Sequence, residues 1–81
     1  MTPLQALILS ELQKLGPMRD IELWQRTTEV AMLPITIACF SLEADGYIEV
    51  PPGVSPQSYE WQITAKGREY VTKQLGGGVH A

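Results

Sequence analysis

The chain has 81 residues, 44% of them hydrophobic and 19% charged, with six Lys+Arg against nine Asp+Glu for a net charge of −3. That length suits one small domain rather than two, and the apolar fraction is that of a globular chain, not a disordered one. The acidic balance has the wrong sign for a protein living on phosphate attraction, and a single cysteine, Cys39, excludes an internal disulfide and a zinc site of several thiolates. No basic-then-apolar leader opens the chain, and the longest mostly apolar run, Val30 to Phe40, is interrupted by Pro34 and Thr36. It is too short to span a bilayer, so a cytoplasmic protein with no membrane partner is expected.

The first predicted helix, α1, is fully punctuated. Thr2 and Gln5 have the spacing of a capping box, Pro3 suits the first helical position, and Met1 can pack on Ala6 as a staple. Leu4, Leu7, Ile8, Leu12 and Leu15 form its expected core stripe. Gly16-Pro17 ends it, with Lys14 in the last turn, where a cation suits the helix dipole. Pro17-Met18 is expected as a short extended piece, β1. A helix α2 follows from about Asp20, carrying Ile21, Leu23 and Trp24, with Asp20 and Glu22 at its favourable N-terminal end. Thr27-Thr28 weaken it, while Glu29 to Met32 could continue it.

A third helix, α3, is expected from Pro34 to the stop at Gly46. Tyr47 to Val50 is β-branched and aromatic and reads as β2, halted by Pro51-Pro52-Gly53; Tyr59, Trp61 and Ile63 alternate with Glu60 and Gln62 as a half-buried β3. The Pro-, Gly- and Ser-rich segment between them predicts an antiparallel hairpin. Thr64 caps a closing α4 with Tyr70, Val71 and Leu75 as its apolar spacing. The domain is expected over residues 1–75, followed by a flexible glycine-rich tail over 76–81.

The resulting order, α1-β1-α2-α3-β2-β3-α4, is an α+β arrangement and that of the winged helix-turn-helix fold. Two stretches resemble that family: Leu42-Glu43-Ala44-Asp45-Gly46-Tyr47-Ile48, similar to the junction between recognition helix and wing strand, and Tyr59 to Glu69, similar to a wing's return strand running into the closing helix of bacterial winged-helix regulators. The resemblance covers roughly residues 3 to 75. It implies a small DNA-binding protein that regulates transcription, often as a dimer.

The residues themselves give that implication thin support. In the family's register, Ile35, Cys39 and Leu42 face inward and Thr36, Ile37, Phe40, Ser41 and Glu43 outward. Direct base readout needs Arg, Lys, Asn or Gln, and none lies between Leu33 and Asp45. Thr36 and Ser41 can each make one contact, and Arg19 and Arg26, flanking α2, could clamp phosphates. Their alternative is a solvated surface paired with Asp20, Glu22 or Glu29. The loop from Pro51 to Ser58 carries no charge to reach DNA, and Lys66, Arg68 and Lys73 interleave with Glu69 as a soluble face does. Ile37 and Phe40 instead predict docking on a protein partner or a second copy.

Two functions are therefore carried forward. One is a DNA-binding regulator contacting double-stranded DNA through Arg19, Arg26, Thr36 and Ser41; the alternative is a protein-interaction module using Ile37 and Phe40. A homodimer would use the first and last helices through Leu9, Val71 and Leu75. No catalytic constellation, metal ligand set or cofactor motif is found: His80 lies in the tail, Cys39 reads as a small core hydrophobe, and Gly76 to Gly78 lacks the Lys-Ser/Thr of a phosphate loop. Trp24 and Trp61 read as core or core-edge aromatics. The chain is expected not to be an enzyme.

Overall fold

The computed structural model describes residues 1–27 and 31–76, with the backbone alone at residues 75 and 76. It is an α+β fold of four helices and a three-stranded antiparallel sheet, in the order α1 (Pro3–Leu15), β1 (Met18–Arg19), α2 (Asp20–Gln25), α3 (Leu33–Ala44), β2 (Ile48–Glu49), β3 (Glu60–Ile63) and α4 (Ala65–Tyr70). A 3-10 turn at Pro56–Ser58 lies inside the β2–β3 connection, and α4 runs into a wider π-type turn over Val71–Gly76.

The capping box at the start of α1 is formed. Thr2 Oγ1 accepts from the Gln5 N–H at 3.1 Å, and Gln5 Oε1 accepts from the Thr2 N–H at 2.9 Å. The buried stripe is shifted from the expected one, however. Ile8, Leu9 and Leu12 are buried, whereas Leu7 and Leu15 are exposed and Leu4 packs at the edge of the core. A helix packed on several neighbours, here α3, β3, α4 and the Val71–Gly76 turn, buries a wide arc, and Leu9 falls in that arc. Leu9 therefore cannot add to a dimer surface.

In the sheet, β3 is central: Met18 lies opposite Trp61 and Arg19 opposite Glu60, while Ile48 lies opposite Ile63 and Glu49 opposite Gln62. The period of two sends Met18, Ile48, Trp61 and Ile63 into the core and leaves Arg19, Glu49, Glu60 and Gln62 on the outer face. There Gln62 Nε2 donates to Glu49 Oε2 at 2.8 Å.

The end of α3 is fixed by its glycine. Gly46 has φ of 83°, which a side chain would strain; its N–H donates to the Glu43 carbonyl at 3.0 Å and that of Tyr47 to the Leu42 carbonyl at 2.9 Å. This is a Schellman motif, and it turns the chain directly into β2. The α4 start is tied to the same corner. Thr64 Oγ1 accepts from the Gly67 N–H at 3.1 Å and donates to the Gly46 carbonyl at 2.7 Å. Gly67 is buried, and a Cβ there would collide with the Tyr47 carbonyl oxygen and the Ile63 side chain. Glycine is what lets α4 approach the sheet this closely.

The core joins Ile8, Leu9 and Leu12 of α1, Leu23 of α2, Ile35, Ala38, Cys39 and Leu42 of α3, and the inward sheet residues. The continuation of α2 toward Met32 is not seen where it is described, since the helix ends at Gln25, and Ala31 and Met32 are bends; Glu29 and Val30, the side chain of Leu75 and nearly all of the tail with His80 fall outside the described residues.

Candidate functional site

The inward residues of α3 are Ile35, Ala38, Cys39 and Leu42, all buried. Ala38 joins the expected three by ordinary helical spacing. On the opposite side, Leu33 is 66% exposed, Ile37 57% and Phe40 47%, and Ala44 is also exposed. At 3.6 residues per turn these four, spaced 4, 3 and 4 apart, fall within about 60° of arc. They form one uncharged stripe along the helix. Thr36 and Glu43 flank it on one side and Ser41 on the other, each half-buried.

Phe40 links this stripe to the sheet. Its ring meets Trp61 edge-on at 5.7 Å between centroids and Tyr59 edge-on at 6.0 Å. Trp61 is buried, but Tyr59 is 43% exposed and extends the apolar surface beyond the helix. Tyr59 is also the only non-glycine residue with positive φ among the described residues, at 53°. Two backbone bonds hold it there: its N–H donates to the Pro56 carbonyl at 3.3 Å, and its carbonyl accepts from the Asp20 N–H at 2.9 Å. A left-handed residue with a large side chain costs roughly 1–2 kcal/mol, and here it turns the 3-10 segment into β3 with the ring set beside Phe40.

The candidate DNA contacts lie on β1, at the end of α2 and on two flanks of α3. Arg19 Nε donates to the Ser58 carbonyl at 3.2 Å, bracing the hairpin connection. Arg26 lies across from α1, its guanidinium 4.0 Å from Glu11 rather than beside Asp20 or Glu22, and Glu11 also receives Lys14 at 3.5 Å. The Thr36 hydroxyl is turned toward the Met32 carbonyl at 3.4 Å and the Asp20 carboxylate at 3.5 Å. Both contacts are long, but they face the α2 side and not the stripe. Ser41 lies on the other flank of α3 from Thr36.

Asp20 is the one buried charged residue among the described residues. One carboxylate oxygen accepts from the Ile21 N–H at 2.8 Å at the start of α2, where a negative charge suits the helix dipole. Cys39 lies in its field. Burial, then the charges of Asp20 and Glu43, push the Cys39 thiol up to about 12. A thiol held protonated and fully enclosed is not a nucleophile at neutral pH.

Other sites are slight. A surface cleft of about 160 Å³ is lined by Tyr47, Lys66, Glu69, Tyr70, Lys73 and Gln74, below the roughly 300 Å³ at which small-molecule sites begin. Lys66 is already engaged there: its Nζ donates to the Asp45 carbonyl at 2.6 Å and sits 4.6 Å from the centre of the Tyr47 ring. Lys73 faces Glu69 at 3.8 Å in an exposed pair. Among the described residues no group of His, Cys, Asp and Glu is placed to hold a metal ion, and no helix is long and apolar enough to cross a membrane.

Two members of the stripe, Leu33 and Ala44, escaped the sequence reading, although their spacing from Ile37 and Phe40 was available. Tyr59 was read only as a strand residue; its left-handed backbone has no signal in a tyrosine. Comparison of the chain with known proteins gave no matching family model and no matching curated sequence.

Proposed function

We propose that this chain is a small winged-helix-type recognition module that acts by binding another protein through the outer face of α3, without catalysis. One observation carries the reading: the helix that would be laid against a ligand exposes Leu33, Ile37, Phe40 and Ala44, opposite an equally apolar buried side. Water-facing apolar area of this kind is lowered in free energy by covering it, at roughly 25 cal/mol per Å². The strained backbone at Tyr59, spent on placing an aromatic ring beside the stripe, supports the same surface.

A second reading, a DNA-binding transcription regulator, draws on the order of the elements and on Arg26, whose side chain is half exposed beyond the end of α2. It asks Arg19, Arg26, Thr36 and Ser41 to serve a duplex without a hydrogen-bonding fork on α3 and with an uncharged loop between β2 and β3. The acidic net charge of −3 opposes it further.

Fluorescence anisotropy with random duplex DNA separates the two. The protein-binding reading expects no binding at low salt. Binding that weakens with salt, with a log–log slope near −2 for two phosphate contacts at about −0.9 each, would favour the regulator.

A further inference from the structure

We propose that the partner of the α3 stripe is a second copy of this chain, docked antiparallel about a twofold axis passing between Ile37 and Phe40. The proposal rests on the protein-binding reading above and names its occupant.

Spacing supplies the first argument. Residues 4, 3 and 4 apart along one stripe form the seam that lets two helices pack at a shallow angle, side chains of one between those of the other. In an antiparallel pair Ile37 meets the second copy's Phe40, and Leu33 meets the second copy's Ala44. The long side chain at one end of the stripe thus faces the short one at the other. A parallel pair would set Leu33 against Leu33 and leave Ala44 facing Ala44, crowded at one end and open at the other.

Charge supplies the second. The charged residues of this segment, Glu43 and Asp45, lie together at its C-terminal end. Antiparallel docking carries them to the first turn of the partner helix, which begins at Leu33 behind a Met32 that makes no side-chain cap. The positive dipole end of that helix suits an anion. Parallel docking would instead bring four acidic groups together. About the twofold each flank faces its own counterpart, so the flank carrying Thr36 meets the same flank of the second copy with the two Glu43 side chains held at opposite ends of the seam.

Area sets the strength. The 12 residues of α3 make a stripe of about 18 Å, and with Tyr59 beside it the surface still falls short of the roughly 800 Å² per partner of a standard interface. The dimer is therefore of the weak, reversible class. Because it closes on itself it ends at two copies.

Sedimentation of the full chain between about 5 and 500 µM tests this. A monomer–dimer equilibrium that barely responds to salt is expected, and Ile37→Glu should leave the far-UV spectrum and melting unchanged while reducing association at least tenfold. Orientation is read by oxidative cross-linking: the double variant Leu33→Cys/Ala44→Cys should form covalent dimers and neither single variant should. A monomer throughout the range, a dimer indifferent to Ile37→Glu, or cross-linking by the single variants overturns the proposal. If the chain is monomeric and also ignores duplex DNA, the second-copy assignment alone fails and the protein-binding reading stands; if it is monomeric and binds duplex DNA, both fail.

Discussion

The first and third helices are both rich in leucine and isoleucine, but they use those residues differently. On α1 Ile8, Leu9 and Leu12 are buried and Leu4 packs at the core's edge, while the exposed Leu7 and Leu15 stand eight positions apart among Gln13, Lys14 and Glu11. On α3 the core is satisfied by Ile35, Ala38, Cys39 and Leu42, and a second set of apolar residues remains on the far side with no polar residue within the stripe. Isolated surface leucines are ordinary; a continuous stripe on a helix whose opposite face is already buried is the feature on which the proposed protein-binding role rests. The contrast separates what builds this domain from what it presents.

The largest expected effect breaks the inner face of α3. Leu42→Ala should cost about 2–5 kcal/mol by lost burial and the cavity left behind, measured by chemical denaturation. The same face should respond to alkali. Cys39 is raised in the folded state to about 12, so its contribution is complete below the ordinary thiol range near 9 and is lost as pH rises from there through about 12. Unfolding free energy measured by denaturant titration across that window should fall by on the order of a few kcal/mol.

Next comes Gly67→Ala, which forces a methyl against the Tyr47 carbonyl and Ile63. About 1–3 kcal/mol should be lost, and hydrogen exchange should quicken where α4 meets β2. On α1, Thr2→Ala removes the capping hydroxyl for about 1 kcal/mol. The smallest folding effect belongs to the outer face: Ile37→Ala should change stability by no more than about 0.5 kcal/mol while weakening association. A loss comparable with that of Leu42→Ala would show that the two faces of α3 are not distinct.

Much of the fold could be read before any coordinates, because its signals are local. Thr2 and Gln5, Gly46, and Thr64 each fix an end of a helix through bonds to residues three to five positions away, and the alternation around Trp61 sets the inward face of β3. Leu9 was misplaced because which arc of α1 is buried depends on elements distant in sequence, α3, β3 and the closing segment after it. The surface was half legible. Ile37 and Phe40 stood out as apolar residues on the outward register, but the edge-on contact of Phe40 with Tyr59 and Trp61 joins positions about twenty residues apart through a left-handed tyrosine, which no local pattern announces. Arg26 found Glu11 rather than a neighbour on its own helix for the same reason.

The outer stripe of α3 is proposed as the surface this protein uses. A dilution series of amide NMR spectra through the tens-of-micromolar range tests it most directly. Resonances of Leu33, Ile37, Phe40, Ala44 and Tyr59 should shift together with concentration while those of the Pro51–Ser58 connection and of α4 stay fixed. Shifts centred on α1 and α4, or a stripe that stays unmoved while duplex DNA perturbs Arg19, Arg26, Thr36 and Ser41, would contradict it.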